Sequence, residues 1–134
     1  MLDLKKQGSK RAEDLLIGTL AVLALQGVDT LQTTDKSFHT HFGAALQVFR
    51  EAGGELADLA DDYYRNVVSN TYDELDHALI AAEQFGLVKF PNPSYSRLQV
   101  TIPRRVAEEL ANEWGENRAV FERAAKKLYD SMLH

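Results

Sequence analysis

The sequence predicts a mainly α protein of the α+β class: one domain with six helical segments and one short β-hairpin. Three observations carry this expectation. Apolar residues recur at helical spacing, as in Phe38, Phe42, Ala45, Leu46 and Phe49, which fall at i, i+4, i+7, i+8 and i+11. The period changes only between 87 and 102, where the breaker-rich Pro91-Asn-Pro-Ser94 separates two β-prone runs. The chain has 134 residues, 45% of them hydrophobic and 26% charged, with three prolines and no cysteine. That length buries about two-thirds of the unfolded surface, and the composition is not that of a disordered tail. No linker or repeat divides it, so a single domain is expected over 1–134.

The first helix is expected over about 9–26, with Ser9 as N-cap and Gly27 as stop. Leu15, Leu16, Ile17, Leu20, Val22, Leu23 and Leu25 cover nearly its whole circumference. Such a helix must be surrounded, either in the domain centre or in a subunit interface. Lys5, Lys6, Lys10 and Arg11 before it give the outline of a signal peptide. Against that, Glu13 and Asp14 abut the run and no small-x-small site follows Leu25. The run is also well short of the roughly 20 residues of a transmembrane helix. The expectation is a buried helix of a cytoplasmic protein with no membrane contact.

A connector over 28–34 leads to a second helix, from near Ser37 to Gly53-Gly54. A third follows at once, with Leu56, Leu59, Ala60, Tyr63 and Tyr64 on one face, until Asn70 breaks it. Thr71-Tyr-Asp-Glu74 has capping-box spacing, and Leu75, Leu79 and Ala82 carry a fourth helix to Gly86. Leu87-Val-Lys-Phe90 and the run 95–102 read as strands. Pro103 suits the first position of a fifth helix, which reaches Trp114-Gly115. A sixth runs from about Glu116 to Met132, with Phe121, Ala124, Ala125, Leu128 and Met132 as its apolar edge.

Glu55-Leu-Ala-Asp-Leu-Ala60 resembles the first helix of a helix-turn-helix. Leu79-Ile-Ala-Ala-Glu-Gln-Phe-Gly-Leu-Val88 is similar to the end of a recognition helix that runs into a first wing strand. The run 95–102 with Pro103-Arg-Arg105 is similar to the return strand and its exit into a C-terminal helix. This winged helix-turn-helix likeness covers about 38–102. With the flanking helices at 9–27 and 103–133, the whole chain resembles the multiple antibiotic-resistance regulator (MarR) architecture. Two features depart from it: the stretch between Ala60 and Thr71 is long for the turn, and the wing is short. The resemblance implies a non-catalytic, dimeric, DNA-binding transcription regulator. Its homodimer would form through helices 9–26 and 116–132, which would cover the first helix. An effector pocket among Tyr63, Tyr64, Tyr72, Phe85, Phe90 and Tyr95 is a further implication, although aromatics at helical spacing are more often core.

The charge map pulls the other way. Fifteen basic against twenty acidic residues give −5, so the chain has no global pull toward nucleic acid. Residues 1–49 are neutral and residues 87–134 carry +2, while residues 50–86 hold two basic and nine acidic groups, net −7. That acidic stretch contains the segment that would enter a major groove. In the DNA reading, Asn70, Thr71 and Tyr72 approach bases while Lys89, Arg97, Arg104 and Arg105 hold phosphates. In the alternative, the module is a protein-interaction adaptor. Asp61, Asp62, Asp73, Glu74 and Asp76, within the helices over 55–86, then dock a basic partner. Both readings stay open, since fold alone does not decide between them.

Enzyme motifs are nearly absent, and neither a cofactor nor a metal site is expected. His39 and His41, two apart on a helix, point about 200° apart and cannot chelate together. Asp73 and His77 are spaced to pair at i, i+4, beside Asp76. Such a pair is more often a surface ion pair, worth a few tenths of a kcal/mol, than a responsive site. Asp58, Asp61 and Asp62 fit a solvated face better than a cation site.

Overall fold

In the computed structural model, residues 11–33, 35–66, 68–69, 71–89 and 97–132 are described. Helix α1 (Glu13–Leu25) runs through the domain centre. Its Leu15, Leu16, Leu20 and Leu23 are wholly buried, and it packs against three helices introduced below. The chain itself therefore covers the all-round apolar helix, and no second copy is needed to do so. The first turn is closed by Asp14, whose carboxylate accepts the Arg11 N–H at 2.7 Å. The expected cap Ser9 lies outside the described residues. Gly18 is where α1 comes closest to its neighbours: a Cβ there would stand 2.5 Å from the Phe121 ring and 2.8 Å from the Trp114 indole nitrogen.

The expected connector after α1 contains a strand, β1 (Thr30–Gln32). Three residues with one buried leucine are too few for alternation to register in the sequence. Helix α2 (Asp35–Ala52) buries Phe38, Phe42 and Phe49, as the stripe predicts. Helix α3 (Gly54–Ala60) buries Leu56, Leu59 and Ala60 and then stops, well short of Asn70, which lies outside the described residues. Beyond it Tyr63 is buried, but Tyr64 is 75% exposed and does not share the buried face.

Between α3 and the next helix stands a small antiparallel hairpin, β2 (Arg65–Asn66) and β3 (Thr71–Tyr72), with Arg65 opposite Tyr72 and Asn66 opposite Thr71. It occupies the stretch that is too long for a helix-turn-helix turn. Its tip is shaped by Asn66, whose Oδ1 accepts the N–H groups of Val68 at 2.9 Å and Ser69 at 3.2 Å. The expected capping box does not form. Thr71 is in a strand, its hydroxyl bonded to that of Ser69 at 2.6 Å, and Tyr72 precedes the helix with no side-chain cap.

Helix α4 (Asp73–Gln84) buries Leu75, Ala78, Leu79 and Ala82. It ends at Gly86, whose φ of 75° lets Leu87 N–H reach back to the Ala82 carbonyl at 2.9 Å. Strands β4 (Val88–Lys89) and β5 (Arg97–Val100) follow, within the two expected runs. The three-stranded antiparallel sheet has the order β1-β5-β4, with Thr30 and Lys89 both opposite Gln99. Pro91-Asn-Pro-Ser94, Phe90 and Tyr95 lie outside the described residues.

Helix α5 (Arg104–Asn112) begins one residue after Pro103, which takes the N-cap position rather than the first helical one. A 3-10 turn (Gly115–Asn117) leads into α6 (Arg118–Met132), which buries Phe121, Ala124, Ala125 and Leu128. The α1 helix packs against α4, α5 and α6, and α2 lies along α6. Phe121 is the hub, 4.4 Å from the Trp114 ring and 4.8 Å from that of Phe49. The fold is thus mainly helical with a small antiparallel sheet, as the class predicts. Among the described residues, no helix is long and apolar enough to cross a membrane.

Candidate interaction surface

The phase that turns Phe38 and Phe42 of α2 into the core also buries His39, which is 1% exposed. Its ring links three elements. The Tyr72 backbone N–H donates to His39 Nδ1 at 2.9 Å, and His39 Nε2 lies 2.9 Å from Asp76 Oδ1. A backbone N–H can only donate, so Nδ1 is the acceptor and Nε2 carries the proton that Asp76 accepts. The Tyr72 ring lies parallel to the imidazole, with centroids 6.3 Å apart. Its hydroxyl would be 3.0 Å from a Cβ on Gly43, so the glycine lets Tyr72 lie against α2. The root of the hairpin and the first turn of α4 are thereby tied to α2.

Tyr63 secures the other side of this region. Its ring is 5.6 Å from that of Phe42, and its hydroxyl donates to the Ala12 carbonyl. Burial pushes its hydroxyl pKa well up, and the negative charges of Glu74, Glu13 and Asp14 add to the rise.

The solvent side of α4 carries Asp73, His77, Ile80, Glu83 and Gln84, with the half-buried Glu74 at its start, and the helix contains no lysine or arginine. The expected Asp73–His77 pair is replaced by a looser one, with His77 Nδ1 3.7 Å from Glu74 Oε1. Glutamate has one more methylene than aspartate and reaches the ring from i−3. Asp76 is half exposed, but one of its oxygens belongs to His39. Asp73, Glu74 and Asp76 therefore share one turn. Asp61 and Asp62 are exposed just after α3, with Asp61 3.6 Å from Arg50. Three large apolar side chains are also bare: Val68 at the hairpin tip (93% exposed), Ile80 (53%) and Phe85 (55%). With Tyr63 and Tyr72 packed inward and Tyr64 and Phe85 outward, the described members of the expected aromatic pocket do not converge.

The nucleic-acid candidates fall into separate groups. Thr71 and Tyr72 lie in β3, at the hairpin root, rather than on a recognition helix, and both are half-buried. Asn70 lies outside the described residues. Lys89 stands on the outer face of the sheet beside Gln99, and Arg97 is two residues along β5 on the same side, while Val88, Leu98 and Val100 face the core. Arg104 and Arg105 are exposed at the start of α5, with Arg105 3.9 Å from Glu109. Among the described residues, no carboxylate lies within 4 Å of Lys89, Arg97 or Arg104.

His41 points away from His39 and shares a 2.7 Å hydrogen bond with Ser131 of α6. No group of three or more described His, Asp or Glu residues is arranged to hold a metal ion. Two clefts along α6, about 550 and 420 Å³, share Arg123, Lys126 and Asp130 in their linings. Lys126 and Asp130 are ion-paired to each other at 3.0 Å.

Sequence reasoning missed the tie through His39 and the exposed apolar trio. The phase of the Phe38 and Phe42 stripe was the available signal for burial of His39. Compared with known proteins, the chain matches no family model, no curated protein and no solved structure.

Proposed function

We propose that the chain is a cytoplasmic, non-catalytic winged-helix module that works by binding, and that its working surface is the acidic face of α4, which docks a basic protein partner. The observation that carries this is the solvent side of α4, where Asp73, Glu74, His77 and Ile80 stand without a single cation on the helix. The helix order, with α4 running into the β4–β5 hairpin, supports the winged-helix part. On DNA this face is costly. Each carboxylate against a phosphate loses about 1 kcal/mol in water, so three in one turn lose about 3 kcal/mol, roughly a hundredfold in affinity. Against lysine or arginine the same term changes sign.

A second reading rests on a separate observation. Lys89, Arg97 and Arg104 are exposed without a nearby carboxylate among the described residues, so duplex DNA could be held from the wing side. With Arg105 these make four phosphate contacts, fewer than the six to ten or so of strongly salt-sensitive binders. The terminal-helix homodimer implied by the resemblance would now rest on α6, because α1 is already covered by its own chain.

Two fluorescent probes at low salt test the proposal: an amphipathic lysine–leucine peptide and a random duplex. The peptide is expected to bind, with affinity falling about thirtyfold in the variant Asp73→Asn with Glu74→Gln. Duplex binding that weakens with salt and disappears on Arg97→Ala with Arg104→Ala would transfer the function to DNA.

A further inference from the structure

We propose that a partner of the acidic α4 face is a second copy of this chain, seated through the basic outer face of its β4–β5 strands and the start of its α5. The proposal rests on the reading of α4 as a protein-docking face and names what it docks.

The chain keeps acid and base apart. Every ion pair among the described residues is local to one surface: Arg50 with Asp61, His77 with Glu74, Arg105 with Glu109, and Arg118 with Glu108 and Glu122 are examples. None joins the α4 side to the sheet side. Asp62 and Asp73 therefore face solvent with no cation within 4 Å among the described residues, just as Lys89, Arg97 and Arg104 have no carboxylate.

The acidic side also has what a charged patch alone lacks. Ile80 on α4, 53% exposed, and Val68 on the adjoining hairpin, 93% exposed, are apolar groups that a docked partner would cover. The hairpin is held ready by His39 at its root and Asn66 at its tip, so little ordering is left for association. The basic face fits in chemistry: strand side chains with Lys89, Gln99 and Arg97 outward. Each copy offers both surfaces, so a two-fold arrangement forms the same contact twice and closes as a dimer.

Sedimentation equilibrium of the full chain tests this, over a range of concentrations at low and high salt. The expected result is the mass of two chains at low salt and of one at high salt. An acid-neutral variant (Asp62→Asn, Asp73→Asn, Glu74→Gln) and a base-neutral variant (Lys89→Gln, Arg97→Gln, Arg104→Gln) should each be monomeric alone. Mixing them should restore a one-to-one dimer, because one intact acidic face then meets one intact basic face. Val68→Asp should weaken association at least tenfold. All these positions but the half-buried Glu74 are exposed, and circular dichroism checks that each variant stays folded.

A monomer at every concentration in low salt overturns the proposal. So does a dimer indifferent to salt and to both variants, which would place the contact on α6. Failure of the mixture to pair overturns it as well. If the chain stays monomeric while the lysine–leucine peptide binds, self-association falls and the docking reading stands. If neither a second copy nor the peptide binds, both fall.

Discussion

Replacing His39 with leucine tests the tie that sets the docking surface. Leucine keeps the apolar volume, so the cost comes from the two hydrogen bonds. The Tyr72 N–H loses its acceptor, the imidazole at 2.9 Å, and a donor left unsatisfied at this part-buried position costs about 1–3 kcal/mol. Asp76, half exposed, regains water and loses little. The sum is about 2 kcal/mol. With an unfolding entropy near 2.1 cal/mol/K per residue over 134 residues, Tm should fall by about 7 °C. Asp76→Ala alone strands the His39 Nε2–H and should cost about 1–2 kcal/mol. Once His39 is gone that penalty vanishes, so the double variant should cost less than the sum of the singles by at least 1 kcal/mol. Urea denaturation measures the cycle, and hydrogen exchange locates it: the amides of Tyr72 and the first turn of α4 should exchange faster while those of α1 do not. Additivity within about 0.3 kcal/mol, or unchanged exchange at the start of α4, would refute the coupling.

Two further perturbations probe the core. Gly18→Ala gains about 1 kcal/mol of helix propensity, but its Cβ falls 2.5 Å from the Phe121 ring, and overpacking of this kind costs about 1–3 kcal/mol. The variant should be less stable by urea denaturation, and adding Phe121→Leu should recover part of the loss. Tyr63 has a raised hydroxyl pKa in the folded chain, so its contribution is complete below the unfolded value near 10 and is lost as pH rises beyond it. Stability should fall by about 1.4 kcal/mol per pH unit above about 10 on its account, and Tyr63→Phe should flatten that slope while costing about 1 kcal/mol at neutral pH.

Much of the fold was legible because long helices repeat their signal. The Phe38, Phe42 and Phe49 stripe has five turns to declare itself, and Gly86 marks the end of α4 through backbone chemistry that glycine performs best. The strands β1, β2 and β3 were not legible, since two or three residues cannot show a period of two. Thr71 illustrates the limit from the other side. Its spacing to Glu74 satisfies the capping rule, but Tyr72 N–H takes its acceptor from His39, thirty-three positions earlier, and the local cap is displaced. Asp58, Asp61 and Asp62, expected on a solvated face, are exposed. The exposure of Val68 and Ile80 was not legible, because an apolar residue declares its type and not its direction.

The carboxylates at the start of α4 have a cause that needs no partner. Asp73 and Glu74 lie in the first turn, where the helix dipole stabilises negative charge by about 0.3–1 kcal/mol each. Acid there helps the helix form whatever the protein does. That account stops at the first turn, since the dipole's effect fades beyond it. Ile80 lies two turns on with about half of its surface exposed, and Val68, on a tip built by Asn66, is almost wholly exposed. Isolated exposed apolar residues are ordinary. These two, however, stand on elements that join end to end and are tied to one another through Tyr72 and His39. The acid at the start of α4 thus has a cause in the helix and the apolar groups have none, so Val68 and Ile80 add to the cation-free face in arguing for a docked protein over a bound duplex.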